Sequence, residues 1–343
     1  MEIGILGLPQ SGKSTLFEIM TGVRSREMHS EQFVRGIASV PDKRFDHLVD
    51  IYRPAKVSPA RVPFVDVNAS GEKVWNAIRQ NMSSADGFVQ VIDGFTAGNI
   101  GEITAKYREL MDDLILADMI MVENRMERMQ KVPKKSMNLM EGLQIELMPK
   151  IHDQLEKGGV IRALTFTADE EKSLRSFAFW TMRPELVVVN MEEENTFSIE
   201  EIEAQMNTSS PVVGISCQME AEIMGLSEEE QKEFRESLGI TEPAYHKIIR
   251  QAFLLLNSIS YFTVGDDEVK AWIIPRETKA PQAAGVIHKD FERGFIKAEV
   301  VSYDDFVSCG STMTKVKGSG KVRLEGKEYI VQDGDIINFR FNV

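Results

Sequence analysis

Residues Ile3–Ser14 read Ile-Gly-Ile-Leu-Gly-Leu-Pro-Gln-Ser-Gly-Lys-Ser, and this stretch decides the fold. Its first four residues, Ile3–Leu6, are an apolar run typical of a buried β-strand. The next eight, Gly7–Ser14, satisfy the pattern G-x-x-x-x-G-K-[ST], and helical periodicity follows as far as Met20. A strand, a glycine-spaced turn and a helix in this order predict a phosphate-binding loop at the first turn of an α/β sheet. A chance glycine turn is the alternative, which the flanking elements disfavour.

Each residue type in this turn has a chemical reason to be there. The glycines let main-chain N–H groups converge on a β-phosphate, and the N-terminus of the following helix adds positive dipole. Lys13 reaches the β- and γ-phosphates, which makes it a catalytic candidate, and the Ser14 hydroxyl is placed to bind Mg²⁺. The residues predicted to contact the nucleotide here are Gly7, Pro9, Gln10, Ser11, Gly12, Lys13, Ser14 and Thr15.

Four later apolar runs are predicted to be further strands of the same sheet: Arg61–Val67, Gly87–Asp93, Glu185–Asn190 and Pro211–Ser216. They alternate with helical segments, which predicts a doubly wound, mostly parallel α/β sheet with buried strands. Ligands of such sheets bind at the carboxyl ends of the strands. Asp66 is therefore predicted as a second Mg²⁺ ligand.

The end of the strand Glu185–Asn190 predicts the side of the site that binds the base. GTPases have Asn-Lys-x-Asp at such a strand end, whereas this chain has Asn190-Met191-Glu192-Glu193, without the lysine and with a longer carboxylate. The Asn190 amide offers a donor and an acceptor that match adenine, and Met191 offers a soft apolar contact to the base. An ordinary strand end before an acidic helix start is the alternative, and these residues alone do not decide. The predicted contacts on this side are Asn190, Met191, Glu193, Ser216 and Cys217.

Motifs along the whole chain resemble one known family, the YchF or Obg-like ATPases. Gly7–Thr15 resembles their GLPNVGKST loop, and Asn190–Glu193 resembles their Asn-x-x-Glu, which in the family confers preference for ATP over GTP. The most specific resemblance lies near the carboxyl end, in Tyr261–Thr263, Glu268–Trp272, Ala280–Ala284, Ile287–Ile296, Glu325–Asp335 and Phe339–Val343. The sequence is identified as a divergent member of that family.

This resemblance implies a chain of three parts. They are a P-loop nucleotide-binding domain of the G type over residues 1–100 and 178–257, an inserted helical coiled-coil hairpin over 101–177, and a C-terminal α+β TGS domain of β-grasp type over 258–343. The resemblance also implies Mg²⁺-dependent ATP hydrolysis and association with ribosomes or RNA. The TGS domain is then a module for binding partners.

Two stretches depart from the family, and both would surround a γ-phosphate. Where members have Asp-x-Ala-Gly after the strand, Ala69 replaces the glycine whose N–H senses the γ-phosphate, and the loop is shortened. In the first switch, also shortened, Ser30 takes the place of a Mg²⁺-binding threonine; a surface serine is its alternative. His29 is the only candidate for activating water, and a solvated loop histidine is its alternative. Slow or partner-dependent turnover is therefore expected.

Composition limits the remaining functions. The chain has 343 residues and a net charge of −13, and a strongly acidic protein is repelled by bulk nucleic acid. From Ser260 to Val343, however, 12 Lys and Arg stand against 13 Asp and Glu, so this part can present a local basic face.

The two cysteines are far apart and the five histidines do not cluster, which disfavours zinc. No apolar run is long enough to span a membrane and no leader precedes the first strand, so a cytoplasmic location is expected.

Helical sequence runs from Ala105 to Lys157 and predicts a hairpin. Apolar residues recur at the spacing of a helical seam, namely Met119, Val122, Met126 and Met129 on the first helix and Met140, Leu143, Leu147 and Ile151 on the second. Pro133 breaks the helix at the tip, and Pro149 is expected to kink the second helix or to start a new turn. The tip lysines Lys131, Lys134 and Lys135 are interpreted either as a solvated turn or as a contact to RNA or a protein partner.

Three interpretations of function remain. The first is a P-loop ATPase of the YchF type that binds ATP over GTP with Mg²⁺, hydrolyses it weakly and acts as a monomeric switch associated with ribosomes or RNA. The second is a nucleotide-dependent binding scaffold without hydrolysis, which the shortened switches favour. The third, a GTPase, is disfavoured by the missing lysine and the carboxylate spacing of Asn190–Glu193. A small-molecule kinase would leave the C-terminal resemblance unexplained.

Overall fold

The structure is a computed structural model that describes residues 2–24, 33–67, 75, 78–79, 82–133, 137–192 and 197–342. The chain divides into two compact units. The first contains Met1–Ile37 and Pro63–Ile248, and the second contains Ala38–Val62 and Ile249–Val343. Each unit has its own six-stranded sheet at its centre.

The elements of the described residues are numbered in chain order. The strands are β1 (Ile3–Leu6), β2 (Phe33–Ser39), β3 (Lys56–Ser58), β4 (Arg61–Val67), β5 (Gly87–Asp93), β6 (Glu185–Asn190), β7 (Val212–Ile215), β8 (Ser258–Thr263), β9 (Glu268–Pro275), β10 (Phe295–Ser302), β11 (Arg323–Glu325) and β12 (Asp335–Phe341). The α-helices are α1 (Lys13–Thr21), α2 (Lys43–Tyr52), α3 (Ile100–Gln130), α4 (Leu139–Glu156), α5 (Ala168–Leu174), α6 (Ile199–Met206), α7 (Cys217–Met224), α8 (Glu228–Ser237), α9 (Ala244–Leu255), α10 (Ala280–Ile287), α11 (Lys289–Arg293), α12 (Tyr303–Ser308) and α13 (Met313–Gly318).

The first sheet has the strand order β2-β4-β1-β5-β6-β7. β1 pairs in parallel with β4 and β5, β5 pairs in parallel with β6, and β6 with β7. Every residue of β1 and β6 is buried, which explains why their sequences are continuous apolar runs rather than alternating ones. The parallel α/β fold predicted from the sequence is confirmed.

Large aromatic side chains fill the core on one face of this sheet. Trp75 and Trp180 meet edge to face with ring centroids 5.6 Å apart, and Phe88 of β5 lies 5.3 Å from Trp180. The same cluster includes Leu114 of α3 and Ile202 of α6. A Cβ atom at Gly4 would lie 2.8 Å from the Phe88 ring, so glycine at this position lets β1 lie directly beside it.

The predicted hairpin is formed by α3 and α4, which follow β5. Asn99 caps the start of α3, and Asn138 and Glu141 form a capping box at the start of α4. Of the eight predicted seam residues, seven belong to the hairpin core: Met119, Val122, Met126, Met129, Leu143, Leu147 and Ile151. Met140 is not among them. The expectation of a new turn at Pro149 was wrong, because α4 runs through Pro149 to Glu156 without interruption.

The second unit contains a mixed sheet with the strand order β11-β10-β12-β8-β9-β3. β8 and β9 are antiparallel, as are β10 and β12, whereas β12 pairs with β8 in parallel. Small residues of α10, Ala280, Ala283 and Ala284, are fully buried in the core of this unit. This arrangement confirms the α+β character predicted for the C-terminal part. Among the described residues, no helix is both long and apolar enough to cross a membrane.

Candidate nucleotide site

The glycine-spaced loop connects β1 to α1 through a sharp reversal of the chain. Gln10 and Gly12 have positive φ angles of 64° and 95°, and α1 begins at the next residue, Lys13. The Ser11 N–H donates to the Leu8 carbonyl at 3.3 Å within the turn. The N-cap residue Gly12 has no side chain, and the first N–H groups of a helix have no acceptor inside it. This geometry suits an anion at the helix N-terminus.

Close contacts explain why glycine occupies both ends of the loop. A Cβ atom at Gly7 would lie 2.6 Å from Ser11 Oγ and from the Val91 carbonyl oxygen of β5. A Cβ atom at Gly12 would collide with Nδ2 of Asn190 in β6, and the φ angle of Gly12 is in the region that favours glycine. The two glycines therefore let the loop lie close to the ends of β5 and β6.

Lys13 and Asp66 interact electrostatically beside this loop. Asp66 is fully buried in β4, where it is paired in register with Ile5 of β1. Burial lowers the pKa of the Lys13 ammonium, and the Asp66 carboxylate partly offsets that effect. A cation and a carboxylate thus lie together next to the loop, as a site for a phosphate and a metal ion requires.

Ser14 and Asp66 provide the kind of ligand that Mg²⁺ prefers. Ser14 is partly buried in the first turn of α1 and offers a hydroxyl group, while Asp66 offers a carboxylate. Magnesium in phosphate-binding sites is usually held by one or two such oxygens together with substrate phosphates and water. The residues present therefore fit a Mg²⁺ ion that binds with the nucleotide.

Asn190 braces the loop against the neighbouring elements. It is only 8% exposed at the end of β6. Its Nδ2 donates to the Ser11 carbonyl at 3.2 Å, and its Oδ1 accepts from the Cys217 N–H, at the start of α7, at 3.0 Å. The sequence did not predict this role, since it suggested only a contact with adenine. The Asn190 amide keeps a second N–H and a second lone pair, and their contact with adenine stays a prediction.

Replacing Asn190 with alanine is expected to weaken ATP binding about tenfold. The variant would lose one hydrogen bond to the loop and one to the start of α7, each worth about 1 kcal/mol, and the conformation of the loop would no longer be fixed. Titration of the purified protein with a fluorescent ATP analogue measures the change, with Asn338→Ala, on an exposed position of β12, as the control. Equal affinities of a folded Asn190→Ala variant and the control would contradict the bracing role.

The other residues predicted on the base side have main-chain or packing contacts. The Met191 side chain lies against the positions of Gly94 and Gly214, next to the core cluster. Ser216 is the N-cap of α7, and its hydroxyl accepts from the Met219 N–H. Cys217 is buried, and burial, with a smaller contribution from Glu220, raises the pKa of its thiol to about 12. Near the loop, Cys217 therefore contributes its N–H group, which donates to Asn190. Base contacts for these residues stay predictions.

Asp93 is an acidic residue at the same edge of the sheet that the sequence analysis did not single out. It ends β5 and is paired in register with Asn190. It accepts hydrogen bonds from the Thr96 N–H at 3.1 Å and from Lys106 Nζ at 2.7 Å. Burial alone would raise the pKa of Asp93, but the bonds from Lys106 and Thr96 outweigh it and lower the pKa. Asp93 is thus held as an ionised, well-bonded turn residue.

Several residues named from the sequence lie outside the described residues. They are His29 and Ser30 of the first switch, Ala69 after β4, Glu193 on the base side, and Lys134 and Lys135 of the hairpin tip. Their assigned roles stay predictions. The described site therefore consists of the loop, Lys13, Ser14, Asp66, Asn190 and the start of α7.

Known proteins resemble the chain over its full length. A family model described as YchF-GTPase_C, a protein of unknown function (DUF933), matches residues 258–342. The ribosome-binding ATPase YchF of Bacillus subtilis (strain 168) is 37% identical over 99% of this chain and 99% of its own length. Obg-like ATPase 1 of Oryza sativa subsp. japonica is 35% identical over 100% of this chain and 92% of its own length. Among solved structures, the YchF GTPase of Schizosaccharomyces pombe has a TM-score of 0.83 and 28% identity, covering 99% of this chain and 97% of that one.

The fold and the loop define a protein of the P-loop nucleotide-binding class. Identities of 37% and 35% over essentially the whole chain narrow this further. The chain belongs to the family of YchF and Obg-like ATPases, as its sequence motifs predicted.

Proposed function

We propose that this protein is a P-loop ATPase that binds ATP over GTP together with Mg²⁺. The observation that carries the proposal is the loop Gly7–Gly12, braced by Asn190, with Lys13 and Asp66 beside it. In this proposal the loop N–H groups and Lys13 would hold the phosphates, and Ser14 and Asp66 would hold the metal ion. Mg²⁺ supplies positive charge to the phosphates, while the residues of the chain orient them.

The preference for ATP rests on the base side of the site. Asn190-Met191-Glu192-Glu193 lacks the lysine and the aspartate spacing of GTPases. The relatives from Bacillus subtilis and Oryza sativa carry the word ATPase in their names, which supports the same assignment. The S. pombe relative carries the word GTPase, so a GTPase is the alternative that a binding experiment must exclude.

Turnover is proposed to be slow or to depend on a partner. A braced phosphate loop provides affinity, whereas rate requires groups ordered around the γ-phosphate and an oriented water molecule. The sequence positions for such groups, Ser30 and Ala69, depart from the family pattern. A scaffold that binds ATP without hydrolysing it is the alternative within this proposal.

The three-part organisation is part of the proposal. The nucleotide domain at 1–100 and 178–257 would carry the site, and the hairpin at 101–177 and the TGS domain at 258–343 would bind partners. The family model at residues 258–342 supports the last boundary. Residues 38–62 and 249–257, within the first of these parts, lie in the second compact unit.

The proposed partners are ribosomes or RNA, with protein contacts through the TGS domain and the hairpin tip at Lys131, Lys134 and Lys135. The name ribosome-binding ATPase of the Bacillus subtilis relative supports the ribosome. A cytoplasmic location and a monomeric state are proposed with it.

Titration with ATP, GTP and ADP, each with and without Mg²⁺, tests the nucleotide half of this function. ATP with Mg²⁺ is expected to bind at least about tenfold more tightly than GTP, a difference of about 1.4 kcal/mol that two base-edge hydrogen bonds can supply. Equal affinities would favour the GTPase alternative. An absence of heat with every nucleotide, in calorimetry on folded protein, would overturn the proposal.

A further inference from the structure

The tip of the hairpin contains a cavity that the proposed nucleotide site does not use. It has a volume of about 280 Å³ and lies where the last turns of α3 meet the chain before α4 and the middle of α4. Its lining residues are Met126, Met129, Gln130, Val132, Met137, Ile145 and Pro149. Among these described lining residues, Gln130 alone has a polar side chain.

Apolar side chains in this part of the hairpin are also exposed. Val132 is 40% exposed, and Leu139, two residues after Met137, is 75% exposed. Leu139 is the first residue of α4 and follows the N-cap Asn138 directly, so the helix can begin without leucine at this position. Three methionines line the cavity, and methionine is the apolar residue that adapts best to different bound surfaces.

Positive charge lies next to the cavity along the chain. The described segment Arg125–Lys131 contains three Lys and Arg and one acidic residue, although the chain as a whole has a net charge of −13. Arg128 and Lys131 are exposed, and neither forms an ion pair with a described residue. Arg125, in contrast, is bonded to Gln144 at 2.7 Å within the hairpin. An apolar hollow with free cations beside it complements an acidic surface that presents apolar side chains.

The size of the cavity selects the kind of ligand. Pockets for small molecules usually have volumes of about 300 to 1,000 Å³ and enclose the ligand, whereas this one, at about 280 Å³, lies at the lower limit of that range and is open at the surface. One or two bulky side chains of a helix fit such a space, in the way that amphipathic helices dock into apolar grooves. RNA would use the positive charges but would leave the apolar lining unfilled.

We propose that the hairpin tip binds an acidic amphipathic segment of a partner protein, with one or two bulky apolar side chains inserted between Met126, Met137 and Ile145. The carboxylates of the segment contact Arg128 and Lys131. This inference deepens the partner half of the proposed function and does not depend on nucleotide binding. Its failure would leave the ATP titration unaffected.

Selection from a displayed library of random 16-residue peptides tests this proposal on the full-length protein. The wild-type chain serves as bait, and Val132→Glu, which adds a negative charge at the exposed rim, serves for counter-selection. The selected peptides are expected to combine bulky apolar residues at helical spacing with an excess of Asp and Glu. Enrichment of basic peptides, or no enrichment over the Val132→Glu bait, would overturn the proposal.

Fluorescence polarisation with the most enriched peptide then separates the cavity from the charges. Val132→Glu and the double variant Arg128→Glu/Lys131→Glu are each expected to weaken binding at least about tenfold. Lys157→Glu, at the far end of α4 and 69% exposed, is the matched control and should bind as the wild type does. Two results together would assign the tip to RNA instead. A labelled single-stranded RNA would bind the tip without displacing the peptide, and the peptide would bind Val132→Glu as tightly as it binds the wild type.

Discussion

Lys13→Ala is expected to reduce ATP turnover by about 100-fold or more and to weaken ATP binding. Lys13 is the first residue of α1, and the phosphate loop places its ammonium group beside Asp66. Removing one preorganised hydrogen-bond donor from the negative charge that develops in an oxyanion hole costs about 10²–10³ in rate, and we expect at least the lower figure for a cation. The remaining loop N–H groups still bind phosphate, so affinity should fall less than turnover.

The matched control for this experiment is Lys43→Ala. Lys43 is also the first residue of a helix, α2, but it is exposed and has no glycine loop before it. Phosphate release under single-turnover conditions measures the rate, and the fluorescence titration measures affinity. Equal release by the Lys13→Ala variant, the wild type and the Lys43→Ala control would show that the loop does not serve hydrolysis.

The phosphate loop was predictable from the sequence because its determinants are local. Gly7 is fixed by contacts with Ser11 and with the adjacent strand β5, the positive φ angle of Gly12 is set within the turn, and Lys13 follows from helix position. The buried strands were predictable for the same reason, because a strand that is buried on both faces has a continuous run of apolar residues. The hairpin seam was predicted from helical spacing in the same manner.

Long-range roles were not predictable in this way. Asn190 bonds to Ser11, 179 residues away in sequence, so its bracing function appears only when β1 and β6 are placed in one sheet. The packing of Met191 against Gly94 and Gly214 was likewise not indicated by the sequence, and its contact with a base stays a prediction. Pro149 was expected to kink the second helix or to start a new turn. α4 continues through it, because a proline removes only one helical hydrogen bond and the packed seam holds the rest, and the kink stays a prediction.

Asp118 takes part in the most deeply buried ion pair among the described residues of the first unit, which no sequence pattern indicated. Asp118 is fully buried in α3, and Arg79 is 3% exposed. Arg79 Nη1 donates to Asp118 Oδ1 at 2.6 Å, and Arg79 Nη2 donates to the Ala117 carbonyl at 2.8 Å. The carboxylate also accepts from the N–H groups of Trp180 and Thr181, at 3.0 and 2.8 Å. The pair therefore ties three separate stretches of the chain together.

Asp118→Ala is expected to lower the free energy of unfolding of the first unit by about 3–5 kcal/mol, because it leaves the Arg79 charge buried without its partner. Unfolding in urea, followed by tryptophan fluorescence, measures the change, since Trp75 and Trp180 belong to the same core. Asp112→Ala, at an exposed position of the same helix, is the control and should change stability by less than about 0.5 kcal/mol.

The double variant Arg79→Met/Asp118→Leu removes both charges and should recover most of the loss, because apolar side chains of similar size replace a buried ion pair at little cost. If the double variant were as unstable as Asp118→Ala, the loss would come from the bonds to Trp180 and Thr181 rather than from the unpaired charge.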